Sequence, residues 1–428
     1  MDLAAKLRAL APDFAYENGR LATGGVDLAA IADAAGGPVY VYALAGVLAR
    51  YREFEQAFAG QPTRICYAMK SNDSVGVLKA LATAGAGVDV VSGGELALAM
   101  ATGVPADRIV FSGVGKTDRE LAQAIDAGVM QINVETPFEL ERLSAMASQK
   151  GKTAPVAIRV NPDVDAGTLD EISTGRAQDK FGIAYVEAEA LYAKAAALPG
   201  IEPVGVAMHI GSQIGDVAFC AEACGRLRAL WEKLAAAGVK LRRFDVGGGL
   251  GIRYRDETPP TVQAYADVVK AAVAGLDCEV VLEPGRRIVG AAGVLVSTVI
   301  SVKTTPTHRF VILDAAMNDL IRPALYKAWH EIVPLVDTGR GAWTPAEVVG
   351  PVCESTDKFA AARPMPELAA GDRVAFLCAG AYGAVMSSEY NGRPRAAEVV
   401  VQDGEWSFSR PPRGIDALIS EQTVPAWL

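Results

Sequence analysis

Four apolar runs in the sequence end in residues that could carry chemistry. Lys70 closes the run RICYAMK, where partial removal from water would favour the uncharged amine that a Schiff base requires. His209, one of three histidines in the chain, closes PVGVAMH. Residues 247–249 are successive glycines, which let backbone N–H groups approach a phosphate closely. A carboxylate and a guanidinium, Glu283 and Arg286, end the fourth run.

Each of these features also has a purely structural interpretation. A lysine at the end of a strand is often a surface residue, and a buried histidine often only hydrogen-bonds the backbone. Glycine runs also form tight turns. The chemical interpretation therefore depends on whether the four strand ends meet at one place.

The elements that would bring these ends together alternate between about residues 60 and 285. Eight strand-like runs are separated by alanine-rich segments whose apolar spacing predicts amphipathic helices. This repeat predicts a closed (β/α)8 TIM barrel, in which the carboxyl ends of the strands share one rim. A doubly wound open sheet is the alternative. The runs cover residues 64–70, 87–92, 108–113, 130–134, 155–162, 203–211, 243–249 and 279–285.

Beyond residue 286 the pattern changes. Runs rich in Val, Thr and Ile, with few helix signals, predict a mainly β domain. The first 35 residues contain a hairpin-like segment that is expected to pack with this domain. We therefore expect an N-terminal segment over residues 1–35, the barrel over 36–286 and the β domain over 287–428.

Charge and composition exclude several classes of function. The 428 residues carry 41 Lys and Arg against 50 Asp and Glu, a formal net charge of −9, which argues against a nucleic-acid partner. The longest apolar stretch, residues 290–302, is too short to cross a membrane, and the N-terminus lacks the features of a signal peptide. Six scattered cysteines without CxxC pairs indicate reduced thiols in a cytoplasmic protein, with no metal site expected.

Together, the strand ends would place an amine, a flat ring, a phosphate cradle and a carboxylate around one barrel rim. This is the set of groups that pyridoxal 5'-phosphate requires. A carboxylate beside the ring nitrogen, here from Glu283, keeps that nitrogen protonated and makes the ring a strong electron sink, which suits decarboxylation. An arginine at that place would suit a racemase better.

Nine motifs carry a resemblance that extends over nearly the whole chain. They are YAMKSN, DVVSGGEL, ISTGRAQDKFGI, HIGSQ, DVGGGLGI, EPGR, MNDLIRPALYKAWHEI, GPVCESTDKFA and GAYGAVMSSEYNGRPRAAEV. In these motifs and their order the chain resembles the diaminopimelate decarboxylases, pyridoxal phosphate enzymes of the alanine-racemase-like fold type III. The resemblance implies decarboxylation of meso-2,6-diaminopimelate to L-lysine and CO2, the last step of lysine biosynthesis.

The resemblance also implies how the cofactor is bound. Lys70 would be joined to its aldehyde, His209 would stack on its ring and Glu283 would hold the ring nitrogen. The remaining cofactor-binding residues, most of them for the phosphate, would be Asp89, Ser212, Gly247, Gly248, Gly249, Gly285, Arg286 and Tyr382, with Arg159 nearby.

Substrate recognition is implied mainly for residues outside the barrel. Arg286, Arg322 and Tyr326 would hold the distal carboxylate of the substrate, with Tyr382 also in contact. Two guanidinium groups suit this task because each can bind a carboxylate with two hydrogen bonds.

Two neighbouring residues would complete the site in an unusual way. Cys353 would donate the proton that replaces CO2, since a thiol titrates near enough to neutral pH to do so. Glu354 would contact the distal ammonium of the substrate. In this family the pair reaches into the active site of the neighbouring subunit, which implies a homodimer with shared sites.

Three alternatives remain at this stage. A decarboxylase of the same fold could act on ornithine, lysine or carboxynorspermidine, although Arg322 and the CES at 353–355 favour a substrate with a distal carboxylate. An amino-acid racemase is disfavoured by Glu283. A non-catalytic pyridoxal phosphate carrier would need only the barrel.

Overall fold

The chain forms two compact units, described by a computed structural model over residues 2–167, 174–176, 178–337 and 342–428. One unit comprises Leu48–Ile252 and Thr258–Arg287. The other comprises Met1–Val47, Arg253–Glu257 and Ile288–Leu428.

The first unit is the predicted closed barrel. Eight parallel strands each pair with the next, and the last pairs with the first, so the sheet has no free edge. The register of the closing pair sets Leu282 beside Ile65. The strands are Thr63–Ala68, Gly87–Val90, Ile109–Phe111, Gln131–Val134, Ala154–Asn161, Ile201–Ala207, Arg243–Asp245 and Glu279–Leu282, with the two-residue strand Ile183–Ala184 beside the fifth.

Helices follow the strands because the intervening segments combine apolar faces with strong start signals. Thr117 begins one helix with a capping box. Its hydroxyl accepts from the N–H of Glu120, and the Glu120 carboxylate accepts from the N–H of Thr117. Ser92, Thr136 and Thr261 cap three others with their side chains. These helices are Val75–Thr83, Gly93–Ala101, Asp118–Ala127, Pro137–Gln149, Ala188–Ala197, Val217–Ala236 and Val262–Val273, with Leu44–Ala57 before the first barrel strand and Arg286–Val289 after the last.

The second unit is mainly β, as predicted. Its large sheet runs from Lys358–Met365 at one edge to Glu405–Arg410 at the other. A separate three-stranded sheet, Ala15–Glu17, Arg20–Thr23 and Val26–Asp27, forms from the N-terminal segment. The other strands of the unit are Val39–Ala43, Gly293–Thr304, Arg309–Leu313, Ile332–Pro334, Thr344–Val349, Arg373–Phe376 and Ala397–Gln402, and its helices are Leu3–Leu10, Leu28–Ala35, Arg322–Tyr326 and Ile415–Ser420.

The predicted boundary at residue 36 differs from the structure. Val39–Ala43 is a strand of the large sheet in the second unit, antiparallel to Gly293–Thr304 and parallel to Ala397–Gln402. All five of its residues are buried. A fully buried strand lacks the alternation that would distinguish one sheet from another in the sequence.

None of the described helices is both long enough and apolar enough to span a membrane.

Candidate active site

The predicted chemical residues of the barrel lie just past the carboxyl ends of its strands. Lys70 is the middle residue of a 3-10 turn, Met69–Ser71, directly after the first strand. His209 follows the sixth strand, Ile201–Ala207, and Glu283 follows the eighth, Glu279–Leu282. All three line one cavity of about 420 Å³. The barrel therefore brings together the amine, the ring and the carboxylate that the sequence predicts.

Lys70 is paired with a buried acid. Its Nζ lies 2.6 Å from Oδ2 of Asp89, on the neighbouring strand Gly87–Val90. Asp89 is fully buried, and its other oxygen, Oδ1, has no hydrogen-bond partner within the described residues. Such an oxygen loses hydration without compensation, which is costly unless another group supplies a donor. Asp89 is thus an anchor for the lysine with one acceptor unused.

His209 is held as a neutral ring. Its Nδ1 accepts a hydrogen bond from the N–H of Gly248 at 3.1 Å, which leaves Nε2 as the protonated nitrogen. Burial, together with the positive charges of Lys70 and Arg159, lowers the pKa of His209 well below its usual value. The ring therefore presents a flat, uncharged face to the cavity throughout the neutral pH range.

The glycine run is required by close packing. A Cβ on Gly248 would lie 2.0 Å from the carbonyl oxygen of Glu283, and one on Gly249 would lie 2.2 Å from that of Gly211. Gly247 also has a φ of +67°, which side chains rarely tolerate. No other residue type fits at these three positions.

Two of the three N–H groups of this glycine run, which were predicted to bind phosphate, instead donate to side chains of the protein. The N–H of Gly247 donates to Asp245 and that of Gly248 to His209, at 3.0 and 3.1 Å. Among the described residues, the N–H of Gly249 has no such acceptor. The first two glycines thus fix neighbouring side chains, and the third has its donor available for an anion.

Two further predicted phosphate ligands lie together in the same unit. The guanidinium of Arg286 donates to the Ser212 hydroxyl, with Nη2 at 2.9 Å. Gly285 packs against Ser71, and a Cβ on it would lie 2.8 Å from the Ser71 hydroxyl oxygen. Arg286 begins the short helix Arg286–Val289, whose first N–H groups lack intrahelical partners. The loop after the last strand thus places the start of a helix next to close-packed backbone.

Behind the predicted Glu283, the barrel interior holds a second buried carboxyl group, that of Asp245, which the sequence interpretation did not identify as part of the site. Asp245 accepts from the N–H of Gly247 and from the amides of Gln131 and Asn133, and Asn133 also donates to Glu283 at 3.3 Å. Burial, with Asp245 and Asp89 nearby, raises the pKa of Glu283 well above its usual value. Burial also raises the pKa of Asp245, to about 7.

A signal for this cluster is present in the sequence. In the strand Gln131–Val134, polar Gln131 and Asn133 alternate with apolar residues, although both faces of a barrel strand are normally apolar. Polar residues at every second position of such a strand indicate a polar layer inside the barrel.

Replacing Asp245 by asparagine should change how stability depends on pH. The folded-state pKa of about 7 lies above the unfolded value of 3.8, so between these values the folded state retains a proton that the unfolded state has lost. The free energy of unfolding of the unmodified protein should therefore fall as pH rises through this window, relative to the variant, by up to about 1.4 kcal/mol per pH unit. Urea unfolding at several pH values measures this difference. Asp256→Asn, at an exposed aspartate, is the control, and parallel profiles for Asp245→Asn and the unmodified protein would contradict the prediction.

Two further charged residues of the barrel unit, Arg159 and Glu95, are held by hydrogen bonds. Arg159 lines the cavity, pairs with buried Glu135 at 3.1 Å and lies over the ring of Phe181 at 4.8 Å. Glu95, in the GGEL motif, accepts from the N–H of Val91, and burial raises its pKa to about 7. The motif at 172–183 is described only in part, since residues 172, 173 and 177 lie outside the described ranges.

The predicted substrate residue Arg322 lies in the second unit, where two side chains hold its guanidinium in place. It is buried, its guanidinium lies over the ring of Tyr254 at 4.7 Å, and its Nη1 is 2.9 Å from Nε2 of His330. His330 Nδ1 is 2.9 Å from the carbonyl of Leu377 and donates to it, so Nε2 accepts from Arg322. Tyr326 ends the same helix, Arg322–Tyr326, and is partly exposed.

Cys353 and Glu354 lie in a loop whose shape is set by one carboxylate. Asp357 accepts from the N–H groups of Val352 and Met317, both at 2.7 Å. Cys353 is exposed, whereas the other five cysteines are buried. Glu354 is also exposed and accepts from the hydroxyl of Thr356. The thiol therefore lies on the surface of the chain.

Tyr382 has an uncommon backbone conformation, with a φ of +55°. Positive φ at a bulky residue is rare and marks a constrained position. The adjacent Gly383 packs against Tyr40, and a Cβ on it would lie 2.8 Å from the Tyr40 hydroxyl oxygen.

The barrel residues fit pyridoxal phosphate in three respects. A cradle that any Cβ would fill lies beside an available N–H at Gly249. The cavity is lined by an amine, that of Lys70, and by a buried carboxyl group, that of Glu283. The unused Oδ1 of Asp89 lies beside the amine. Within the described residues, no cluster of His, Cys, Asp and Glu is placed to hold a metal ion.

Comparison with known proteins agrees with this geometry. Residues 44–290 match a family described as pyridoxal-dependent decarboxylase, pyridoxal binding domain. The chain is 48% identical to diaminopimelate decarboxylase of Pseudomonas fluorescens over 398 residues, 92% of this chain and 94% of that one. It is similar to the structure of diaminopimelate decarboxylase from Helicobacter pylori complexed with L-lysine, with 38% identity, a TM-score of 0.89 and coverage of 92% and 99% of the two chains. It is also similar to the structure of diaminopimelate decarboxylase from M. jannaschii in co-complex with L-lysine. The identity is 33%, the TM-score is 0.92, and the match covers 97% of this chain and 98% of that one.

Proposed function

This chain belongs to the diaminopimelate decarboxylases, and from that membership we propose that it converts meso-2,6-diaminopimelate to L-lysine and CO2, the last step of lysine biosynthesis. Its cofactor is pyridoxal 5'-phosphate. The observation that carries the proposal is the shared cavity, in which Lys70, His209 and Glu283 surround one space.

Pyridoxal phosphate, when bound, supplies an aldehyde that condenses with amines and a ring that withdraws electrons from the bond to be broken. Lys70 provides the amine of the protein, and Asp89 balances its charge at 2.6 Å. His209 provides the ring face. Glu283 provides a buried carboxyl, with a raised pKa, for the ring nitrogen. The phosphate is assigned to Gly249, Ser212 and the loop at Gly285 and Arg286, with Tyr382 adding its hydroxyl.

Substrate specificity is proposed to depend on guanidinium groups. The distal carboxylate of the substrate is assigned to Arg322, Tyr326 and Arg286. A buried guanidinium that is already fixed by His330 loses little rotamer freedom on binding a carboxylate, which favours affinity. Substrates of the ornithine or lysine type lack this carboxylate and would leave a buried charge unpaired. The arrangement therefore favours diaminopimelate over these alternatives.

The final proton is proposed to come from Cys353. Its Sγ gives a proton to the substrate carbon that has lost CO2, and Glu354 contacts the distal ammonium. Cys353 is exposed on its own subunit, which is consistent with service in the site of a second subunit. On this basis we propose a homodimer with shared active sites. The six free cysteines also support assignment to the reducing cytoplasm.

An end-point assay with three substrates tests the function. The purified holoenzyme is incubated in parallel with meso-diaminopimelate, ornithine and lysine, and amine product and CO2 are measured. We expect L-lysine from diaminopimelate alone. Product from ornithine or lysine instead would retain the fold and cofactor but overturn the role given to Arg322. No product from any of the three would favour carboxynorspermidine or a non-catalytic carrier.

A further inference from the structure

The second unit contains a cleft whose charge is unlike that of the whole protein. The cleft has a volume of about 520 Å³, and all its lining residues belong to this one unit. We call it the Trp329 cleft, after the indole in its wall. Its charged lining residues are the cations Lys6, Arg253, Arg255 and Arg363 and the acids Asp256 and Glu331. Four positive charges and two negative charges leave a net of +2, in a chain whose formal charge is −9.

Two of the cations crowd around the same aromatic ring. The guanidinium carbon of Arg363 lies 3.4 Å from the centroid of the Trp329 ring, and that of Arg255 lies 4.3 Å from it. Each contact is favourable alone, but the two like charges repel one another. Burial and the charge of Arg255 lower the pKa of Arg363, against the opposing effect of Glu331. The ring thus holds two guanidinium groups in a region of positive potential.

The protein supplies little counter-charge to this region. Glu331 is shared among Lys6, the indole N–H of Trp329 at 3.3 Å and Arg363 at 3.9 Å. Asp256 pairs with Arg255 at 3.0 Å, but both side chains are more than half exposed, so this pair is weak.

Arg253 and Arg363 have unused donors. Among the described residues, Arg253 has no carboxylate partner, and Nε is its one hydrogen-bonding nitrogen, donating to the carbonyl of Arg255. Arg363 is buried, and its guanidinium makes one hydrogen bond in that part of the chain, from Nη1 to the carbonyl of His330. Donors of guanidinium groups therefore remain available at the cleft, in the geometry that suits carboxylate and phosphate oxygens.

We propose that the Trp329 cleft binds a small polyanion that carries carboxylate or phosphate groups. Its oxygens would accept from Arg253, Arg255 and Arg363, and its charge would relieve the repulsion around the indole. None of the cleft residues is assigned to the cofactor or the substrate, so this is a second ligand site.

The site is tested by calorimetric titration of the holoenzyme with citrate and, separately, with inorganic phosphate, at an ionic strength fixed with sodium chloride. The variants are Arg253→Ala and Arg255→Ala, whose exposed side chains can be removed without opening the core. Arg242→Ala is the matched control, because it removes an equally exposed, ion-paired arginine from the barrel unit. Thermal unfolding verifies that all three variants are folded.

We expect saturable binding of at least one anion, with affinity about tenfold to a hundredfold weaker in Arg253→Ala and Arg255→Ala, as is typical when a charged hydrogen bond is lost. Arg242→Ala should bind like the unmodified enzyme. Comparison of the two anions shows whether carboxylates or phosphates are preferred. Absence of saturable binding for both anions, or equal affinity in all three variants, would overturn the proposal.

Discussion

Replacement of Lys70 by alanine is expected to lower kcat by about four orders of magnitude or more, the scale seen when the covalent group of an enzyme is removed. Lys70 lines the cavity, and its Nζ lies 2.6 Å from Oδ2 of Asp89. The methyl side chain of alanine has no amine that could be joined to the cofactor. Steady-state decarboxylation of diaminopimelate measures the loss. Lys79→Ala, at an exposed lysine on the helix Val75–Thr83, is the control and should retain full activity.

A second measurement separates chemistry from folding. Reduction of the holoenzyme with borohydride, followed by peptide mass spectrometry, should find the cofactor attached at Lys70 in the unmodified protein and at no other lysine. The variant should lack this adduct while keeping the thermal midpoint near that of the control. Substantial turnover by Lys70→Ala, or attachment at another lysine, would contradict the assignment.

Replacement of Arg322 by alanine is expected to raise KM for diaminopimelate by roughly a hundredfold, because the loss of a charged hydrogen-bonding contact costs about 3 kcal/mol. The guanidinium contacts His330 and Tyr254, which hold it in one orientation, as the proposed role of a rigid carboxylate ligand requires. Arg322→Lys retains the charge but loses the two-pronged donor, and its KM should lie between those of the other two proteins. Initial rates over a range of substrate concentrations determine these values.

Product inhibition tests the same contact independently. L-Lysine keeps the carboxylate that was distal in the substrate, whereas cadaverine has none. The inhibition constant of L-lysine should therefore rise in parallel with KM in Arg322→Ala, and that of cadaverine should not change. An unchanged KM, or equal effects on both inhibitors, would show that the distal carboxylate is held elsewhere.

Much of the fold could be predicted because it depends on local patterns. The eight barrel strands were predicted from short apolar runs, and all eight are confirmed with shifts of a few residues at their ends. Their parallel order follows from the intervening helices. The strand Val39–Ala43 was missed as part of the second sheet, because its partners lie near the other end of the sequence.

The site was predictable where one strand end carries one chemical group. Lys70, His209 and Glu283 each close a run, and a barrel must bring such ends to one rim. The polar pair Gln131 and Asn133 was missed because both residues lie within a strand rather than at its end, where only their alternation with apolar residues signals a polar layer. The Trp329 cleft was also missed, since its arginines and its tryptophan come from distant segments that only the folded chain brings together.

The position of Val39–Ala43 has a consequence for how the chain is made. This strand pairs on both sides with strands that the ribosome produces much later, Gly293–Thr304 and Ala397–Gln402. The barrel segments can therefore be synthesised and begin to fold before the last strands of the large sheet have been made. A fragment that begins after the barrel would expose two unpaired strand edges where Val39–Ala43 should lie, and such edges promote aggregation. The large sheet can therefore be completed only if Val39–Ala43 remains available for pairing until Ala397–Gln402 has been synthesised.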